Sequence, residues 1–196
     1  MFFAGVTFGK GDTSSAIVIV RMRRIQVRRH YFIESAQRVP SNETGDAIAT
    51  IHHGAKYSFR KRVFSQNRRP AKTVFAKPVI VAEFSEDTSQ IDSLRTLGIP
   101  VEGISVRDGP GWRKEDFARA GFGNNYFVSG DDLVGNLRLL LHEKRLAIDC
   151  ETALPEELAT GLERIRDGGK RPGGDMLLAL AMPLWFRETI RIVKRY

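Results

Sequence analysis

An α/β fold built on a mixed sheet is what this sequence predicts, and three observations carry the prediction. Three β-rich runs fall within residues 1–33, separated only by short polar stretches. Such links are too short for a crossover helix, so the runs pair antiparallel. A continuous apolar run, Pro78-Val79-Ile80-Val81-Ala82, then precedes a helical period and a further strand-like run at residues 99–106. That order gives a parallel pair joined by a right-handed crossover. Beyond it, leucines recur at helical spacing in three separate segments, which supply the helices that cover the sheet.

Residues 1–8 read as a buried strand, and residues 9–15 as a turn rich in glycine and small hydroxyl residues. Residues 16–20 are a second, β-branched strand. Residues 21–24 read as a tight connection to a third strand at residues 25–33, whose Ile25, Val27, Tyr31 and Ile33 sit at odd positions. Ser41 or Asn42 caps a helix with Ala47, Ile48, Ile51 and Ala55 on one face. His52 and His53 are adjacent on it and so diverge, which makes them a poor metal pair. Thr88 or Asp87 caps the crossover helix that carries Ile91, Leu94 and Leu97 and closes at Gly98. Residues 107–125 read as a loop.

A helix starts at Asp131 or Asp132, with Leu133, Leu137, Leu140 and Leu141 inward, and residues 146–148 form a short strand. Pro155 opens a helix with Leu158, Leu162 and Ile165. Gly173-Gly174-Asp175 opens the last helix, covering the sheet with Leu177, Leu180, Ala181 and Leu184. Pro183 lacks an N–H and is expected to kink it.

The size, 196 residues, fits a single domain spanning residues 1–196. No apolar run is long enough for a membrane span, and the beginning of the chain lacks a signal-peptide pattern. One cysteine, Cys150, excludes an internal disulfide and suits a reducing cytoplasm. Its acidic neighbours Asp149 and Glu151 disfavour a thiolate, so it is not expected to be a nucleophile.

The net charge is +8, and it is unevenly placed. Thirteen Lys or Arg stand against three acids between Arg21 and Lys72; the remainder has eighteen basic and twenty acidic residues. A basic block on a near-neutral body is the footprint of a nucleic-acid contact. Its densest part, Arg60, Lys61, Arg62, Arg68, Arg69 and Lys72, is interleaved with Tyr57, Phe59 and Phe64. The cations can hold phosphates; the rings can stack on bases or anchor the segment to the core. Lys170 and Arg171 add charge just before the last helix.

Three pieces in order resemble the C-terminal nuclease domain of phage large terminases. The first is Ala4-Gly5-Val6-Thr7-Phe8-Gly9 followed by Ser15-Ala16-Ile17-Val18. The second is Val79-Ile80-Val81-Ala82-Glu83 leading to Ile91-Asp92-Ser93-Leu94-Arg95 and Leu97-Gly98-Ile99-Pro100-Val101. The third runs from Asp132-Leu133-Val134-Gly135-Asn136-Leu137 through Leu140-Leu141-His142-Glu143-Lys144-Arg145-Leu146-Ala147-Ile148 and Leu154-Pro155 to Asp175-Met176-Leu177-Leu178-Ala179-Leu180-Ala181.

The resemblance implies a ribonuclease H-like mixed sheet, a three-strand antiparallel meander plus parallel strands, flanked by helices, with residues 38–77, which the three pieces leave out, as a basic variable insertion. It also implies DNA cleavage by two Mg²⁺ or Mn²⁺ ions held by converging carboxylates. In the family's pattern the first acid falls at Thr7, the second at Ala82 and the third is a pair at Gly174-Asp175. Asp175 therefore remains in place, while Glu83 and Asp12 are the candidate substitutes, with Asp149 as an auxiliary. Because strand side chains alternate faces, Glu83 is expected to point away from a centre lined by Thr7 and Ala82.

Three functions follow from these residues. One is a terminase-nuclease-like domain of a phage or prophage, catalytically impaired, that binds double-stranded DNA or packaging partners such as an ATPase or portal protein in the cytoplasm of a bacterial host. It needs no metal. The second is an active metal endonuclease with a rearranged site of Asp12, Glu83 and Asp175. The third is a non-enzymatic assembly module whose basic face meets an acidic protein. No Walker-type loop occurs, so a packaging motor would lie elsewhere.

Overall fold

The computed structural model describes residues 1–9, 13–54, 77–84, 88–114, 123–148, 153–169 and 174–190 in full, and residues 59–63, 72–76 and 115 by backbone alone. Strands β1 (Phe2–Thr7), β2 (Ser14–Ile25) and β3 (Arg28–Pro40) form the antiparallel meander. A short 3-10 turn (Ser41–Glu43) leads into α1 (Thr44–His53), and β4 (Phe59–Val63) pairs with β5 (Lys72–Ala76) as a separate antiparallel ribbon. The chain continues as β6 (Val79–Glu83), α2 (Ser89–Thr96), β7 (Val101–Arg107), β8 (Trp112–Glu115), β9 (Asn125–Ser129) and α3 (Gly130–His142). It closes with β10 (Leu146–Ile148), α4 (Glu156–Arg166) and α5 (Asp175–Thr189).

Among the described residues the main sheet has eight strands in the order β10-β3-β2-β1-β6-β7-β9-β8. β6 lies parallel to both β1 and β7, β9 lies parallel to β7, and β8 closes that edge antiparallel. The α/β class, the meander and the strand–helix–strand unit are as expected. The long apolar run of β6 is explained by its place: it is central and covered on both faces.

The two faces bury two separate cores. One gathers Phe3, Val18, Val20, Val81 and Ile104 under α3, α4 and α5, with Leu133, Leu137, Leu158, Leu177 and Leu180 from the helices. The other gathers Ala4, Val6, Ile17, Ile19, Ile80 and Ala82 under α1 and α2, with Ile48, Ile91 and Leu94. α5 is apolar nearly all round because it lies inside the first core: ten of its residues are buried. Trp185 and Phe186 at its far end meet Trp112 and Tyr126 of the β8–β9 edge, with ring centroids 5.6–6.3 Å apart.

Several sequence expectations change: α1 starts at Thr44 after the 3-10 turn rather than under a Ser41 or Asn42 cap, and β3 runs on to Pro40 rather than ending at residue 33. The meander's second turn lies at Gln26-Val27, not at residues 21–24: β2 runs on to Ile25, with Arg23 paired to His30 and Arg24 to Arg29. The turn needs a left-handed residue, and Gln26 takes it at φ 54°, without the Gly or Asn that normally announces it. Residues 107–125 also hold strand β8, which pairs with β9 from Trp112↔Val128 to Glu115↔Asn125.

Pro183 falls within α5, whose helix continues past it to Thr189. It has no N–H to offer the Ala179 carbonyl. That carbonyl instead faces Gly5 of β1, where an added β-carbon would lie 1.7 Å from the oxygen. A proline in the helix and a glycine in the strand together let the two backbones approach. No helix among the described residues is long and apolar enough to cross a membrane.

Candidate functional site at the ends of the central strands

β1 and β6 run parallel and in register, Val6 against Ala82, so their C-terminal ends lie side by side. Side-chain alternation then decides what each end presents. Val6 and Ala82 belong to the core under α1 and α2. Phe3 and Val81 belong to the core under α5, which places Thr7 and Glu83 on the α5 face. Glu83 pairs with Ile104 of β7, itself in the α5 core, which confirms its parity. The expectation that Ala82 and Thr7 share the centre while Glu83 turns away is therefore reversed.

Thr7 is 1% exposed, and its Oγ1 donates to the backbone carbonyl of Asp175 at 3.4 Å. This contact ties the end of β1 to the first residue of α5. The Asp175 side chain is more than half exposed, at 58%. Gly174 precedes it with φ 92° and ψ 154°, a conformation open to glycine and strained for an aspartate. A β-carbon there would also stand 2.8 Å from Glu157 Oε1. A second acid cannot simply be restored at Gly174, because α4 already delivers a carboxylate to that place.

A cation completes the cluster. Arg38 of β3 binds Glu157 through both ends of its fork, at 2.8 and 2.7 Å from Nη2 and 3.1 Å from Nε. Its Nη1 lies 3.8 Å from Asp175 Oδ2 and 3.4 Å from Ser14 Oγ and from the Ser14 carbonyl. Arg38 reaches this face through an irregularity in the sheet. The β2–β3 register shifts between Ile19/Ser35 and Val20/Ile33, leaving Glu34 as the extra residue of a bulge. Odd positions Tyr31 and Ile33 face the α5 core before the bulge, and even positions do so after it, where Ala36 packs against that same core. Arg38 follows Ala36 by two and shares its face.

The described residues flanking the β1–β2 connection are tied to one another and to the start of α1. Gly9 N–H donates to Ser15 Oγ at 3.1 Å, Thr44 Oγ1 meets Ser15 Oγ at 2.8 Å, and Ser41 Oγ donates to the Thr13 carbonyl. Asp12 within that connection lies outside the described residues, as do Asp149, Arg68, Arg69, Lys170 and Arg171. Arg60, Lys61 and Arg62 fall on β4, and Lys72 begins β5, in the register Arg60↔Phe75, Lys61↔Val74, Arg62↔Thr73 and Val63↔Lys72. Their side chains are outside the described set.

Chemically, the end of the sheet offers one buried neutral hydroxyl, the Glu83 carboxylate on the same face, and a Glu157–Arg38–Asp175 chain of charges. Among the described residues, no three His, Cys, Asp or Glu side chains converge into a group that could hold a metal. A divalent ion needs several negative oxygens at close range, and a fixed guanidinium beside two of the carboxylates opposes it. The described donor set does not fit a two-metal centre. Sequence reasoning missed Glu157 and Arg38. The acidic start of α4, Glu156-Glu157, was legible, but only as a favourable helix terminus.

His52 and His53 stand apart from this end, with ring centroids 4.9 Å apart and edge to face. His52 is 5% exposed and, among the described residues, its Nδ1 has no hydrogen-bond partner. Burial lowers its pKa, and the charges of Lys77 and His53 lower it further.

No family model matches the chain. Comparison with curated proteins likewise finds no match. Among solved structures, the chain is similar to the large terminase nuclease from thermophilic phage G20c, with 14% identity and a TM-score of 0.48, over 93% of this chain and 80% of that one.

Proposed function

We propose that this chain is a terminase-nuclease-like domain of phage or prophage origin that engages double-stranded DNA and packaging partners and is impaired in hydrolysis. The observation that carries the reading is Arg38. Its guanidinium spans Glu157 and Asp175 where the resemblance calls for metal-bound carboxylates. It stands beside Thr7 and Gly174, which carry no charge where the family's pattern has acids. The basic segment around β4 and β5, with Lys170 and Arg171, is the electrostatic complement that DNA needs.

An active metal endonuclease is the second reading, and one observation favours it: Glu83 lies on the Thr7 and Asp175 face. In that reading Glu83, Asp175 and Asp12 would hold Mg²⁺ or Mn²⁺, with Arg38 displaced. A supercoiled-plasmid assay with Mn²⁺ separates the two. The impaired reading expects no nicking above background, with DNA binding that weakens steeply as salt rises. Nicking that disappears in Asp175→Ala overturns it in favour of the second. Absence of DNA binding at low salt overturns both and leaves an assembly module that meets an acidic protein.

A further inference from the structure

At the opposite end of the sheet, α5 finishes beside the β2–β3 hairpin. β1 and α5 run antiparallel, since Thr7 meets Asp175 and Arg29 at the hairpin donates to the Arg187 carbonyl at 3.3 Å. Between the hairpin, the α3–β10 turn and the end of α5 lies a cleft of about 480 Å³. That volume is within the range of small-molecule sites, but its lining is not apolar. Arg24, Arg28 and Arg29 of the hairpin, Arg145 and Arg187 all face it.

Two acids, Glu143 and Glu188, share this lining, and both are already engaged. Glu188 Oε1 accepts from Tyr31 Oη at 2.5 Å and from Arg145 Nη2 at 2.7 Å, with Arg29 at 3.7 Å. Glu143 accepts from Arg145 Nη1 at 2.9 Å, which holds its carboxyl below the usual range. Arg145 Nε is spent on the Arg29 carbonyl at 2.7 Å. The acids thus fix Arg145 in place and reach Arg29, against five arginines in all. Among the described residues Arg24 and Arg28 carry no ion pair, and Arg187 Nε is buried without a hydrogen-bond partner. Burial, and then the nearby Arg29 charge, push the Arg187 guanidinium down from its ordinary pKa. Like charges gathered round a partly buried donor are costly unless an anion joins them.

We propose that this cleft is a phosphate-binding site, its ligand a phosphate group received by Arg24, Arg28 and Arg187 against the fixed Arg145. Guanidinium forks match the oxygens of a phosphate two at a time, and several forks converge here from three elements. The group comes either from a free phosphorylated small molecule or from a nucleic-acid backbone. The site is separate from the Arg38 cluster and does not depend on how that cluster is read.

The test uses the full chain and two double variants of equal charge loss. Arg24→Gln with Arg28→Gln alters the cleft at exposed residues; Arg164→Gln with Arg166→Gln alters the exposed side of α4. Inorganic pyrophosphate, at ionic strength matched with NaCl, is expected to raise the melting temperature of the parent and of the α4 variant, and not of the cleft variant. A short DNA duplex is measured in parallel by fluorescence anisotropy. A loss of about tenfold in affinity with a salt slope shallower by about two, confined to the cleft variant, assigns the phosphate to DNA. A response to pyrophosphate alone assigns it to a free ligand. If neither probe distinguishes the cleft variant from the α4 variant, the proposal is overturned.

Discussion

At Gly5 the missing side chain matters more than many that are present. The Ala179 carbonyl, left without an intrahelical donor by Pro183, occupies the space a β-carbon would need. Gly5→Ala should cost about 3 kcal/mol or more, because backbone on both sides must move; urea midpoints of parent and variant measure it. Gly174 is constrained differently, by its positive φ and by Glu157, so Gly174→Asp should destabilise without restoring metal affinity. His52 yields a pH effect whose sign is fixed by its lowered pKa. Below about pH 6.5 the unfolded chain takes up a proton that the folded chain resists. Stability should then fall as pH drops through that window, and His52→Leu should flatten the fall in denaturant midpoints between pH 7.5 and pH 5.

At the scale of elements, the α3 cap and the β3 bulge make separate predictions. Ser129 Oγ accepts from Asp131 N–H at 3.1 Å, so Ser129→Ala should cost about 1 kcal/mol, read as a shift in melting temperature. Ile33 and Ala36 share the α5 face across two intervening residues only because Glu34 is extra, so deleting Glu34 would restore strict alternation and leave Arg38 on that face. That variant should stay folded with the Arg38–Glu157 bridge kept, and Arg38→Gln should be nearly neutral for stability because that pair is more than a third exposed; urea midpoints of both check this. These features also mark where the sequence was readable. β6 and α5 were plain in it, because a run such as Val79-Ile80-Val81-Ala82 tolerates few other environments. The Gln26-Val27 turn was not, since arginines continue the strands beyond the core and Gln26 gives no turn signal. β8 was masked by the glycines on either side of Trp112. At the site, Thr7, Glu83 and Asp175 were legible as positions, but the face taken by Glu83 depends on register with β1, and the arrival of Arg38 depends on a bulge. Neither is written in local residue spacing.

For the whole molecule, the central fact is that β1, near the beginning of the chain, is covered by α5, near its end. Thr7 and Asp175 touch across nearly the full sequence, and Leu177 and Leu180 fill the core that Phe3 and Val18 begin. Leu180→Ala, fully buried at this junction, should cost about 2–5 kcal/mol, measurable by calorimetry. The same closure governs how the protein must come into being on the ribosome. The meander is synthesised first, and one of its two greasy faces has no cover until α5 emerges. At about 5–20 residues per second that interval is on the order of ten seconds. Through it, a half-built sheet stands open to self-association or to a chaperone, and release of a chain stopped short of Asp175 should yield insoluble product, checked by sedimentation of a stop-codon series across α4 and α5.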